Sequence, residues 1–141
     1  MNPKFITIHC SATPPSMPHI GVVAIREMHI NRGWSDIGYH FVITRDGHWN
    51  IGRSITRQDA GVKGYNKDNI HICLVGGIDK DGEPEFNYTN QQMDTLRYRL
   101  TDLCSTHGVK QENIKGHRDW PDVKKACPCF DVQSKLEEWK Q

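Results

Sequence analysis

Residues 71–77, HICLVGG, are the stretch that most restricts how this chain can fold. A short, almost unbroken apolar run closed by glycines predicts a strand covered on both faces, not one with a wet side. Such a strand belongs in the middle of a sheet, with layers packed above and below it. A chain of 141 residues can bury one substantial core of that design without disulfides. No repeat, low-complexity run or Gly/Ser linker divides it, so a single domain over 1–141 is expected.

The remaining segments supply partners for that strand. FITIHC at 5–10 is rich in β-branched and aromatic residues and is closed by the turn-forming SATPPSMP, which predicts a central strand ending at His9. VVAIREMHIN predicts a helix with Val22, Ile25 and His29 turned inward and Gly33 near its end as a stop. YHFVITRDGHWNIGR holds two alternating runs joined by Asp46 and Gly47, a dipeptide whose tolerance of positive φ suits a tight hairpin. Thr89 with Gln92 forms a capping-box signature, and Met93, Leu96, Leu100, Leu103 and Cys104 then recur at helical spacing up to Gly108. NIKGH is a short extended segment, and DVQSKLEEWK a last helix capped by Asp131 with Leu136 and Trp139 as its apolar contacts. This order predicts an α/β fold, a central mixed β-sheet flanked by helices.

Lys and Arg number 18 against 17 Asp and Glu, so the charge gives no footprint for gripping a nucleic-acid backbone or an anionic membrane. Neither is an expected partner, and a monomer is expected. No stretch approaches the roughly 20 apolar residues that span a bilayer. The five cysteines are an odd number, and MNPKFITIHC lacks the apolar run and cleavage site of a secretory signal. Both features read as a chain made for a reducing, cytoplasmic compartment.

His9 stands where a strand meets a loop, and His117 follows the extended NIKG in the same way. Strand ends beside loops hold reactive side chains rigidly while leaving them accessible. Cys127 follows ten residues later, in KKACPCFD. Two imidazoles and one thiolate make a borderline-soft tetrahedral site with one position left open, the arrangement catalytic zinc uses. Spacing alone leaves the plainer reading open, a half-buried imidazole bonded to backbone.

Five segments occur in order: IHCSAT at 8–13, GWSDIGYHFVITRDG at 33–47, GYN at 64–66, ICLVGGID at 72–79 and KACPCFD at 125–131. Together they resemble the zinc amidase family that includes the phage lysozyme-type N-acetylmuramoyl-L-alanine amidases and the animal peptidoglycan recognition proteins, most of all the compact phage branch. The resemblance implies a peptidoglycan recognition protein-like fold, and Zn2+ held by His9, His117 and Cys127. It also implies a catalytic tyrosine at Tyr39 and a catalytic lysine at Lys125. The implied substrate is the muramyl peptide of bacterial peptidoglycan, cut between N-acetylmuramic acid and L-alanine, and the implied setting a phage or prophage endolysin that acts on the wall after release. Two departures stand out. Gly61 occupies a position where relatives usually carry a histidine near the substrate, and the interval around DWPDVK is about two residues longer.

An amide needs a nucleophile at neutral pH, a charge that meets the tetrahedral intermediate, and a proton for the departing amine; zinc provides the first. No HExxH helix occurs, so the glutamate base of common metalloproteases is missing. Tyr39 is the candidate for orienting the water or relaying its proton, and Lys125 for the oxyanion or the leaving amine. On residue type alone Tyr39 reads as a half-buried strand aromatic and Lys125, beside Lys124, as a solvated charge; the resemblance reverses that weighting.

His40 reads as a packing residue or a support behind the ligands rather than a ligand itself, His29 and His71 as structural, and His19, His48 and His107 as solvated. Cys10, Cys73 and Cys104 read as small core residues. Cys129 is a rival to the open site: in an extended CPC both sulfurs face one side, and a fourth protein ligand would make the zinc structural. Trp34, Trp120 and Arg118 are candidates for lining the groove. The alternative to an enzyme is a module that binds peptidoglycan without cutting it.

Overall fold

The computed structural model describes residues 2–17, 19–56, 62 and 64–140. Five strands, β1 (Phe5–Cys10), β2 (Phe41–Ile43), β3 (Trp49–Ile51), β4 (Asn69–Leu74) and β5 (Ile114–Gly116), form one sheet in the order β3-β2-β4-β1-β5. The apolar run therefore does fill the middle position, and all six residues of β4 are buried. β4 runs parallel to β1 and β2, β5 parallel to β1, and β3 antiparallel to β2, which makes the sheet mixed.

Alternation along the strands divides the interior in two. Ile6, Ile8 and Cys10 of β1 and Ile70, Ile72 and Leu74 of β4 face one core, closed by Leu96, Leu100 and Leu103 of helix α2 (Asn90–His107) and by Val132 of helix α3 (Val132–Trp139). Each of those leucines contributes about 1.5–3 kcal/mol by leaving water. The other face carries Val42, Cys73 and Val75 against Ile20, Ile37 and Ile25 of helix α1 (Val22–Asn31). Between these apolar groups, that second face also buries Thr7, His9, Asn69 and His71 completely. A polar stripe inside a two-layer core needs its own hydrogen bonds, and Thr7 Oγ1 donates to Asn69 Oδ1 at 2.9 Å.

Local rules decide the element ends. The capping box forms as predicted, with Gln92 N–H donating to Thr89 Oγ1 and Thr89 N–H to Gln92 Oε1, and Gly108 closes α2 at φ +70°. Asp131 Oδ1 caps α3 through the Ser134 N–H. The hairpin turn differs from expectation: only Gly47 has positive φ, at +85°, while Asp46 works through its carboxylate, which accepts from Thr44 Oγ1 and from the His48 N–H. A side chain on Gly47 would also strike the Gln91 carbonyl, since an added Cβ would lie 2.8 Å from it. Two boundaries move by a residue or two. β1 continues past His9 to Cys10, and Tyr39 precedes β2 instead of opening it.

Candidate metal centre and its cleft

β1 delivers His9 to the polar face of the sheet, and β5, its neighbour, runs directly into the 3-10 turn His117–Asp119. The turn's first residue is thereby set beside β1. Cys127 comes from the following loop, which is tied to the turn by the Arg118 N–H donating to the Cys127 carbonyl at 2.9 Å. Among the described residues, His9, His117 and Cys127 are the group able to hold a metal ion, with their ligand atoms all within 4.8 Å of one another. His9 Nδ1 and His117 Nδ1 stand 3.2 Å apart. Two nitrogens each about 2.0–2.1 Å from one tetrahedral ion stand about 3.3 Å apart, so the pair fits zinc.

Protonation agrees with that chemistry for the imidazoles. Burial, then the neighbouring His71, His117 and Lys125, hold His9 well below the ordinary histidine range. Burial and the Lys125 ammonium push His117 down to about 4. Both rings are therefore neutral near pH 7, the ligating form. The Cys127 thiol is pushed up by its hydrogen bond with Cys10 and by burial, so ligation requires that it lose a proton. Its sulfur already accepts the Cys10 N–H at 3.0 Å, a contact that favours the thiolate.

The centre opens into a cleft of about 740 Å³ lined by His117, Tyr39, Lys125, Trp34, Tyr65 and Arg32, together with residues 121–124. Tyr39 lies against His9 with ring centroids 4.9 Å apart. His29, from α1, supports that wall: its ring packs on Trp34 and Tyr39, and its Nδ1 accepts the Gly38 N–H at 2.8 Å. Burial, Arg32 and Arg53 push His29 down to about 4.

The structure thus brings Tyr39, Lys125 and Trp34 together with the three metal-ligand candidates. It does not bring Trp120 or Arg118 to the cleft lining. Trp120 is 8 % exposed, packs on Phe5 and Tyr65, and donates its indole N–H to Thr7 Oγ1 at 3.0 Å. Cys129 also departs from expectation. At φ +71° it is not in extended backbone, and its Sγ donates to the Gly77 carbonyl at 3.1 Å, leaving it outside the metal-ligand group. His40 is fully buried, and its Nδ1 accepts the His71 N–H. Gly61 lies outside the described residues. The sequence does not single out Arg32 and marks His71 only as structural, because nothing local shows which side of a helix end or which face of a buried strand will meet a residue from elsewhere.

The N-acetylmuramoyl-L-alanine amidase family matches residues 1–130, almost the whole chain. The chain belongs to this amidase family. The amidase is 46% identical to the endolysin of Enterobacteria phage K11 over 126 residues, 89% of this chain and 80% of that protein. It is 42% identical to the endolysin of Escherichia phage T7, over 91% of this chain and 82% of that one. Among solved structures it is similar to the endolysin N-acetylmuramoyl-L-alanine amidase LysCS of Clostridium intestinale, with a TM-score of 0.80, 27% identity, and coverage of 97% and 85%. Human PGRP-IβC shares the fold at a TM-score of 0.76 and 19% identity, over 99% and 84%. The amidase hydrolyses the amide between N-acetylmuramic acid and L-alanine in bacterial peptidoglycan.

Proposed function

We propose that the amidase is a zinc enzyme of the endolysin type, with His9, His117 and Cys127 holding the ion and Tyr39 and Lys125 acting on the substrate. The observation that carries this reading is the convergence of three metal-ligand atoms within 4.8 Å of one another beside a cleft that Tyr39 and Lys125 also line. Bound zinc supplies Lewis acidity and a nucleophile at neutral pH.

The chain's own groups do the rest. Neutral His9 and His117 offer lone pairs, and Cys127 gives up its proton to ligate. The Tyr39 hydroxyl orients the attacking water or takes its proton, while the Lys125 ammonium stands ready for the charge that develops on the scissile carbonyl oxygen and for the departing amine. Lys125 is exposed in the free protein; a seated substrate would exclude water and strengthen its field. The Trp34 and Tyr65 rings offer flat apolar faces to sugar, and the Arg32 guanidinium a partner for stem-peptide carboxylates.

The endolysin role, action on the cell wall after release, is supported by phage relatives at 42% and 46% identity. Among the described residues no helix is long and apolar enough to cross a membrane. The test is release of free amino groups from purified peptidoglycan, lost on chelation and restored by zinc. Reducing sugar ends in place of amino groups, or tight binding with no product at all, would overturn the reading.

A further inference from the structure

His71 sits inside β4, fully buried, and the reaction as described makes no use of it. Its Nδ1 lies 2.7 Å from His9 Nε2, with the two rings tilted by 31°. The other nitrogen of His9, Nδ1, is the one that faces His117. A neutral imidazole has one N–H and one bare nitrogen. For His9 to turn a bare Nδ1 toward a cation, its proton must sit on Nε2, and His71 Nδ1 is the acceptor within reach there.

We propose that His71 is a positioning residue of the metal centre, whose Nδ1 accepts the His9 Nε2–H and so fixes the tautomer and ring angle in which His9 Nδ1 is free to ligate. This rests on the reading of His9 as a ligand. A second observation supports it. Among the described residues, His71 Nε2 is the buried side-chain polar atom left without a hydrogen-bond partner. An unpaired polar atom in a core is costly, and an apolar side chain at this place in β4 would avoid that cost. The imidazole's other nitrogen makes the ring's one hydrogen bond, and it goes to His9. Histidine ligands generally need such a partner for their second ring nitrogen, and losing it costs metal affinity.

The test compares wild type, His71→Leu and His71→Asn, each stripped of metal and titrated with zinc against a chromophoric chelator. His71→Leu should bind zinc about 10–100-fold more weakly, whereas His71→Asn, whose amide oxygen replaces Nδ1 as acceptor, should stay within about threefold of wild type. Wild-type affinity in the leucine variant, or equal loss in both variants, overturns the proposal while leaving the metal centre standing. A wild type that binds no zinc overturns both. If the leucine variant does not fold, histidine nitrogen NMR of zinc-loaded wild type decides. A slowly exchanging His9 Nε2–H coupled to His71 Nδ1 supports the assignment, and a proton on His71 Nδ1 overturns it.

Discussion

At the scale of the residue, the proposed zinc site separates groups that would hold the metal from groups that would act on the substrate, and substitutions should reveal that division. Tyr39 touches the ring of His9 and is not one of the three proposed ligands, so Tyr39→Phe should keep its zinc and lose about 10²–10³-fold in kcat, read as amino-group release beside metal analysis. Lys125→Ala should behave alike, and Lys125→Arg should recover part of the loss because the charge remains. Cys127→Ser should lose the metal. Cys129→Ser should keep both metal and activity, since a serine hydroxyl can still donate to the Gly77 carbonyl. The two cysteines show why the sequence was ambiguous here. Residues two apart share a side only in extended backbone, and the positive φ of Cys129 breaks that premise.

At the scale of the element, α2 shows which signals are local enough to read. Thr89 and Gln92 are three residues apart, and their mutual hydrogen bonds need only a helix start. What the pattern could not show is that Gln92 is fully buried and that its Nε2 also donates to the carbonyls of Ile43 and Val75, fastening the helix to the ends of two strands. Thr89→Ala loses the cap on the Gln92 N–H and the bond that Thr89 Oγ1 donates to the Arg45 carbonyl, and should cost about 1–2 kcal/mol. Gln92→Leu keeps that backbone cap but removes the other half of the box, the Thr89 N–H to Gln92 Oε1 bond, together with the two strand ties, and should cost roughly 1–3 kcal/mol. Urea unfolding would rank them, with unchanged m-values showing that only stability moved. Equal losses would mean that the two strand ties of Gln92 are worth no more than the single tie of Thr89 to Arg45.

At the scale of the whole molecule, the apolar run of β4 and the β-branched and aromatic residues of FITIHC are enough to expect a central sheet with helices around it. The register that pairs Thr7 with His71 and His9 with Cys73 joins residues about 60 positions apart, and no local pattern encodes it. That register creates the polar stripe, and with it a liability that can be measured. His9 and His71 are held well below the ordinary histidine range, and His29 and His117 at about 4, in each case mainly by burial. In the unfolded chain each titrates near 6.5. Above that pH both states are neutral and the metal-free protein has its full stability. Below it the unfolded chain takes up protons that the folded one refuses, so stability falls as pH drops toward the folded values. His9 and His71, both fully buried, each remove about 1.4 kcal/mol per pH unit across that window. Carboxylates with lowered values, such as Asp36 and Asp46, release their share only nearer pH 4 and below, which leaves the histidines dominant between. Metal-free protein unfolded in urea should thus lose most of its stability between about pH 6.5 and 4.5, and His29→Gln should make the decline shallower. A flat profile across that window would mean that the folded protein accepts the protons, and that the stripe is wetter than its burial implies.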